Sequence, residues 1–278
     1  MFSLGALLVI TIFLLCNGVP FIARTGFGKF VLGAEWRPLA DTPSYGILPM
    51  IVTSLYVTAL AVIFGVVIGL STAVCLYRFC PRKLVSPVRQ MINLLAGIPS
   101  VIYGLFGMTV IVPFLRDYLS PTGVGYGILA AAIVLSVMIL PTVVSVSLDS
   151  LSSVPISYYE GALALGSTEA EATFKIVLPA AKSGVTSGVI LAVGRALGET
   201  MAVIMVVGGS PEMPKSLFQS VRTLTSNIAM GAMELDENTQ EALIASGVVL
   251  LVFALLLNIS FSFLKQDRSE RRKRRGKV

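Results

Sequence analysis

The sequence predicts an all-α, polytopic membrane protein with six transmembrane helices. Three observations carry that prediction. Of the 278 residues, 55% are hydrophobic and only 13% are charged, whereas soluble domains run nearer a quarter charged. The mean hydropathy is +0.86. The apolar residues gather in six long runs of roughly 20 residues or more, enough to cross a hydrocarbon layer of about 30 Å at about 1.5 Å per residue. Such a composition excludes a disordered chain, which is poor in apolar residues, and argues against a water-soluble enzyme.

The first run covers residues 2–23. It has no basic segment before it, is too long for the apolar part of a signal peptide and ends without a small-residue cleavage site, so it reads as a retained helix. Trp36 follows and suits an interfacial aromatic anchor. The second run, 47–77, is longer than a span requires, which places its start in the interface. The third, 91–115, contains Gly97, Pro99, Gly104 and Gly107, and the fourth, 126–148, contains Pro141. Proline removes a helix hydrogen bond, and membranes tolerate this where neighbouring helices or a water-lined cavity satisfy the freed groups. Packed kinks and pathway-lining breaks are therefore both open. Asp149 and Ser150, past the fourth run, read as capping residues. The fifth run covers 184–207 and the sixth 243–264. The expected organisation is a first helix and outer loop over 1–45, a five-helix core over 46–264 and a basic tail over 265–278.

Loop charges set the orientation. Arg78, Arg82, Lys83 and Arg89 follow the second run, Lys175 and Lys182 follow the fourth, and eight more basic residues lie from Lys265 onward. These fourteen on one side face six on the other: Arg24, Lys29, Arg37, Arg116, Lys215 and Arg222. The positive-inside bias places both termini in the cytoplasm of a multi-pass protein of the cytoplasmic (inner) membrane. The tail has eight basic and two acidic residues, so it carries the whole net charge of +6. That charge is an inside anchor touching anionic lipid, not a general attraction for anions.

Several chemistries are excluded. There is no histidine. Cys16, Cys75 and Cys80 have no zinc-like spacing, so no metal site is expected. No G-x-x-x-x-G-K-[ST] loop occurs, since Ala181 precedes Lys182-Ser183 and Pro214 precedes Lys215-Ser216. The chain is expected to hydrolyse no ATP, to hold no cofactor or catalytic residue, and to have no nucleic-acid partner.

Two stretches carry the functional information. In the fifth run, Arg195 lies about 16 Å from Gly184 along the helix axis, with Glu199 one turn further on the same face. Ionisable groups at such depth are costly unless paired or hydrated. The two form either a structural ion pair or an anion-pathway site, in which the planar arginine fork binds two oxygens of an oxyanion and Glu199 competes for the arginine. In the loop after the fourth run, Glu160-Gly161-Ala162 is followed by three residues, Gly166, nine residues and Ile176-Val177-Leu178-Pro179. A helix with Ala162 and Leu165 on one face, a left-handed cap at Gly166, a second helix over 169–177 and a turn at Pro179 are expected. The acidic outer loop with Glu212, Glu234, Asp236, Glu237 and Glu241 is either a docking surface or a solvated loop.

The loop resembles the cytoplasmic motif of ABC-type importer permeases, the binding-protein-dependent transport system inner-membrane components, matching six of its seven defining positions, with Gly161 in place of alanine. Stretches over 195–203, 98–104, 35–38 and 141–147 look like those of C-type permeases of phosphate-specific ABC importers; Met201-Ala202 stand where the sister A-type has Ala-Pro. The resemblance implies the type I ABC importer permease fold and a transmembrane subunit forming half of a phosphate path. It implies an A-type permease as heterodimer partner, two ATP-binding subunits that use the ATP, and an extracytoplasmic phosphate-binding protein. Arg195, Glu199 and Thr200 would line the path. Glu160, Gly161, Ala162, Gly166, Ile176, Leu178 and Pro179 would couple it to the ATPases. A molybdate or sulfate importer, or an ATP-independent anion channel or carrier, are the alternatives.

Overall fold

The computed structural model describes residues 2–232 and 236–275, with side chains over 4–232 and 236–260. Helix α1 is Phe2–Thr25 and α2 is Phe27–Leu32; strands β1 (Trp36–Arg37) and β2 (Ser44–Tyr45) pair antiparallel, Trp36 opposite Tyr45. Then follow α3 (Leu48–Val74), α4 (Arg82–Ala96), α5 (Ser100–Phe106), α6 (Val112–Phe114), α7 (Ile128–Ser152), α8 (Ile156–Ala164), α9 (Glu169–Glu171), α10 (Leu178–Gly198), α11 (Met201–Val206), α12 (Leu224–Gly231) and α13 (Glu237–Arg275). Wide π-helical turns extend several of these, at Cys75–Phe79, Gly107–Ile111, Leu115–Leu119 and Ala172–Val177.

Among the described residues, six helices are long and apolar enough to cross a membrane: Leu4–Thr25, Leu48–Phe79, Ser100–Leu119, Ile128–Ser152, Glu169–Gly198 and Glu237–Ser260. The third starts later than its apolar run. Residues 91–96 belong instead to α4, because Arg82, Arg89, Gln90 and Asn93 make that segment two-faced and Gly97-Ile98-Pro99 separates it from α5. Gly97 and Pro99 thus lie between helices, while α7 continues through Pro141. The basic side chains from Lys265 onward lie outside the described residues, and so does Glu234.

The chain divides into two compact units. One comprises Met1–Leu60, Ser100–Val134 and Leu197–Leu256. Its core gathers Phe21, Phe30, Trp36, Ile47, Met50, Leu224 and Leu243. Tyr45 meets Phe21 and Trp36 edge-on, at centroid separations of 5.3 and 6.1 Å. Trp36 is only 5% exposed: the hairpin folds its indole onto Tyr45, so it is a core residue of this unit and not the interfacial anchor expected. Gly104 and Gly107 are packing residues. A Cβ at Gly104 would lie 2.9 Å from Ala202 Cα, and one at Gly107 would lie 2.7 Å from Val206 Cγ1, so these glycines let α5 and the turn after it approach α11 closely.

The other unit comprises Ala61–Pro99, Leu135–Ala196 and Leu257–Val278. Two pairs of its glycines fall four apart. Gly65 and Gly69 of α3 meet Ile139 and Val143 of α7, and Gly184 and Gly188 of α10 meet Ser150 and Val146 of the same helix. Small residues one turn apart let membrane helices pack backbone to backbone, and α7 is accordingly well buried. Asp149 and Ser150 do not cap α7, which extends past them to Ser152. Asp149 pairs with Arg89 at 2.7 Å, and the Ser150 hydroxyl donates to the Val146 carbonyl.

Candidate functional site

The loop motif folds as two short helices joined by a Schellman turn. α8 ends where Gly166 N–H donates to the Leu163 carbonyl at 2.9 Å and Ser167 N–H to the Ala162 carbonyl at 3.1 Å. Gly166 takes φ +87°, a left-handed conformation that costs any other residue type. Thr168 opens α9 with a reciprocal capping box: its hydroxyl accepts from Glu171 N–H and its own N–H donates to the Glu171 carboxylate, both at 3.2 Å. The Thr-x-x-Glu spacing is its sequence signal.

Two expectations about this loop are corrected. Ala162 and Leu165 do not share a face: Ala162 is 8% exposed and Leu165 is 90% exposed, because Leu165 is already the helix cap. Pro179 makes no turn. Helix continues from Glu169 to Gly198, and the wide turn Ala172–Val177 just upstream accommodates a ring that would collide with the carbonyl four residues back in a regular α-helix.

The pair of helices is seated on the end of α3. The Arg78 guanidinium lies 3.9 Å from the ring centroid of buried Tyr159, a cation–π contact, and Phe79 stacks on Phe174 at 6.2 Å. Tyr159, Ala162, Ala172 and Val177 enter the core of this unit. Glu160 and Gly161 are exposed to solvent, as are Ile156, Leu165, Ile176 and part of Phe174. The loop therefore presents exposed apolar side chains together with the Glu160 and Glu169 carboxylates, while Tyr159 and Ala162 hold it to the core of the unit. Sequence inspection missed Arg78, Phe79 and Phe174, because nothing local links them to the motif.

Arg195 and Glu199 sit on either side of a helix end. α10 stops at Gly198 and α11 begins at Met201. With the helical register lost at Glu199, the i to i+4 geometry for an ion pair is gone. The Glu199 carboxylate instead accepts from Ala202 N–H at 3.1 Å, satisfying a free donor at the start of α11 and favoured there by the helix dipole. The Glu199 carbonyl, freed by the break, accepts from the Thr225 hydroxyl at 3.0 Å. Thr225 belongs to a buried hydroxyl cluster with Thr223 and Ser226 at the start of α12, where Leu224 N–H donates to Ser54 Oγ at 2.9 Å. Thr200 is partly exposed, and the Arg195 side chain is exposed. Among the described residues Arg195 has no ion-pair partner. Between Lys182 and Glu212, Arg195 and Glu199 are the only charged side chains.

Part of the acidic segment around the start of α13 has a structural role. Glu241 pairs with Arg24, and Asp236 accepts from the hydroxyl and N–H of Thr239 at 2.7 and 2.9 Å. These two bonds hold the Asp236 carboxyl below its ordinary pKa.

A profile described as "Binding-protein-dependent transport system inner membrane component" matches residues 65–275. The chain belongs to that family. It is 38% identical over 272 residues to the probable ABC transporter permease protein YqgH of Bacillus subtilis, covering 95% of this chain and 87% of the relative. It is 34% identical over 255 residues to the phosphate transport system permease protein PstC of Mesorhizobium japonicum, with 84% and 77% covered. The PstC protein of Xylella fastidiosa is 36% identical over 262 residues, with 87% and 80% covered. Among solved structures, an inward-facing MetNI methionine ABC transporter superposes with TM-score 0.64 at 21% identity over 80% of this chain and 95% of that one. A bacterial alginate ABC importer does so with TM-score 0.61 at 15% identity over 96% of both. The fold is that of the type I ABC importer permeases, and this member of the family is a membrane permease subunit.

Proposed function

We propose that this permease is the C-type transmembrane subunit of an ATP-driven phosphate importer. The observation that carries the proposal is the break at Glu199-Thr200 in an otherwise apolar stretch, with an arginine one turn before it that has no ion-pair partner among the described residues. The relatives named as phosphate transport permeases, 34–36% identical over most of the chain, support phosphate as the substrate. Arg195 offers phosphate a planar fork for two oxygens. Glu199, committed to the start of α11, leaves that fork open in this conformation. Thr200, at the break, adds a hydroxyl. An arginine in this setting binds an anion weakly enough to release it only if competing negative charge lies close, and the Glu199 carboxylate is the candidate competitor.

The permease then pairs with an A-type permease to complete the path, and an extracytoplasmic binding protein delivers phosphate. Two ATP-binding subunits dock on the loop Glu160–Pro179, with the ridge of Ile156, Leu165, Phe174 and Ile176 filling a groove on the ATPase, the helix-in-groove mode. Because Tyr159 and Phe174 are packed on Arg78 and Phe79, a displacement of the loop is passed to the end of α3 and, through the continuous helix, to α10. Both termini are cytoplasmic in this arrangement, the core domain spans 46–264, and the tail from 265 to 278 rests on anionic lipid.

The test is ATP-dependent uptake of labelled phosphate by the reconstituted complex, with sulfate and molybdate as competitors. No uptake of labelled phosphate, with uptake of labelled molybdate or sulfate in its place, assigns the path to the other oxyanion. Uptake that proceeds without ATP-binding subunits overturns the ATP-driven mechanism.

A further inference from the structure

Helix α4 is not explained by the path or by the coupling loop. It is 15 residues long and none of its residues is fully buried. Two residues, Cys80 and Pro81, join it to the span ending at Phe79, and three join it to the span starting at Ser100. Linkers that short reach at most about 10 Å, so both ends of α4 are held at the membrane edge.

Its faces are sharply divided. Val88 and Ile92 pack on the core of their unit, and Arg89 is taken by Asp149. Next to that packed side, Leu84, Met91 and Leu94 are 52%, 65% and 72% exposed, with Pro87 exposed between them. Positions 84, 87, 91 and 94 follow helical spacing and form one continuous apolar stripe. The helix holds Arg82, Lys83 and Arg89 and no acidic residue. Arg82 and Lys83 fall in the first turn, where the helix dipole disfavours cations, so local helix stability does not account for them. An apolar stripe beside exposed basic residues, here Arg82 and Lys83, is the pattern of a helix lying in a lipid interface, and basic residues near such a surface favour anionic headgroups.

We propose that α4 is an interfacial helix: its Leu84–Pro87–Met91–Leu94 stripe is seated in the headgroup–acyl boundary of the bilayer, and Arg82 and Lys83 engage anionic phospholipid headgroups. The proposal needs only that the flanking helices span the membrane and is independent of the substrate.

The test uses the full chain with Cys16, Cys75 and Cys80 replaced by alanine, reconstituted in vesicles of phosphatidylcholine with phosphatidylglycerol. Nitroxide labels are placed singly at Leu84→Cys, Met91→Cys, Leu94→Cys and, on the polar face, Asn93→Cys. All four positions are exposed, so labelling leaves the core intact. The expected ratio of oxygen to nickel-chelate accessibility exceeds one at the three stripe positions and falls below one at Asn93→Cys. Stripe labels as open to the chelate as Asn93→Cys, or shielded from both reagents by protein, overturn the interfacial placement. The double variant Arg82→Gln with Lys83→Gln is expected to lower the ratio at Met91→Cys; an unchanged ratio overturns the headgroup assignment.

Discussion

The backbone carbonyl of Glu199 accepts a hydrogen bond from the hydroxyl of Thr225, 26 residues later, at 3.0 Å. A helix break leaves carbonyls without their intrahelical donors, and here a buried threonine from another helix supplies one. Thr225→Val keeps the shape and removes the donor. It is expected to cost about 1 kcal/mol of stability and to slow phosphate uptake by loosening the break. Thr225→Ser keeps the hydroxyl and should behave nearly as the parent in both thermal unfolding and uptake. Identical uptake in Thr225→Val would separate the bond from transport.

Arg195 is the residue on which the proposed anion path rests. Arg195→Ala is expected to abolish ATP-dependent phosphate uptake while membrane insertion and complex assembly persist, since the side chain makes no ion pair within the described structure. Arg195→Lys retains the charge but loses the planar fork, and partial uptake is expected. Normal transport by the alanine variant refutes the assignment.

Gly166 separates backbone strain from surface chemistry. A Cβ placed there meets nothing within 4 Å, so Gly166→Ala acts only through the positive φ, at about 1–2 kcal/mol. Gly166→Glu adds a charge to the exposed ridge. The expected result is a modest loss of substrate-stimulated ATP hydrolysis in the first variant and uncoupling or loss of the ATPase in the second, measured on the reconstituted complex. Intact transport-linked hydrolysis in Gly166→Glu argues against the coupling role.

Asp236 predicts an acid-side effect. Its carboxyl is held below the ordinary value by two hydrogen bonds from Thr239, so the folded state favours the ionised form. That stabilisation is complete above the unfolded-state pKa of about 3.9 and is lost as pH falls through the lower folded-state value. Thr239→Ala is expected to flatten the dependence of unfolding on pH in this range. A slope identical to the parent's counts against these bonds as the cause.

Much of the architecture was legible in the residue pattern, for identifiable reasons. Runs of apolar residues must form helices in a bilayer, since no water satisfies exposed backbone there; the six spans follow from that. Gly166 was legible as a left-handed cap because glycine alone enters that conformation freely. The start of the third span was misplaced because Met91, Ile92, Leu94 and Leu95 count as apolar in a window, although Gln90 and Asn93 give this segment a polar face and Gly97-Ile98-Pro99 separates it from α5. Whether Arg195 and Glu199 pair was left open by the residue pattern, because i to i+4 spacing brings two groups together only in an unbroken helix.

The sequence by itself determined the class of the protein, the number of spans, the loop motif Glu160–Pro179 and the presence of one arginine and one glutamate in an apolar stretch. These depend on composition and short spacing. Only the tertiary structure decided which partner each of those groups takes: Thr225 for the Glu199 carbonyl, Arg78 for the Tyr159 ring, Tyr45 for Trp36. Such contacts join residues far apart in the chain, and whether they form depends on how closely two helices or strands approach, which packing sets and local sequence does not encode.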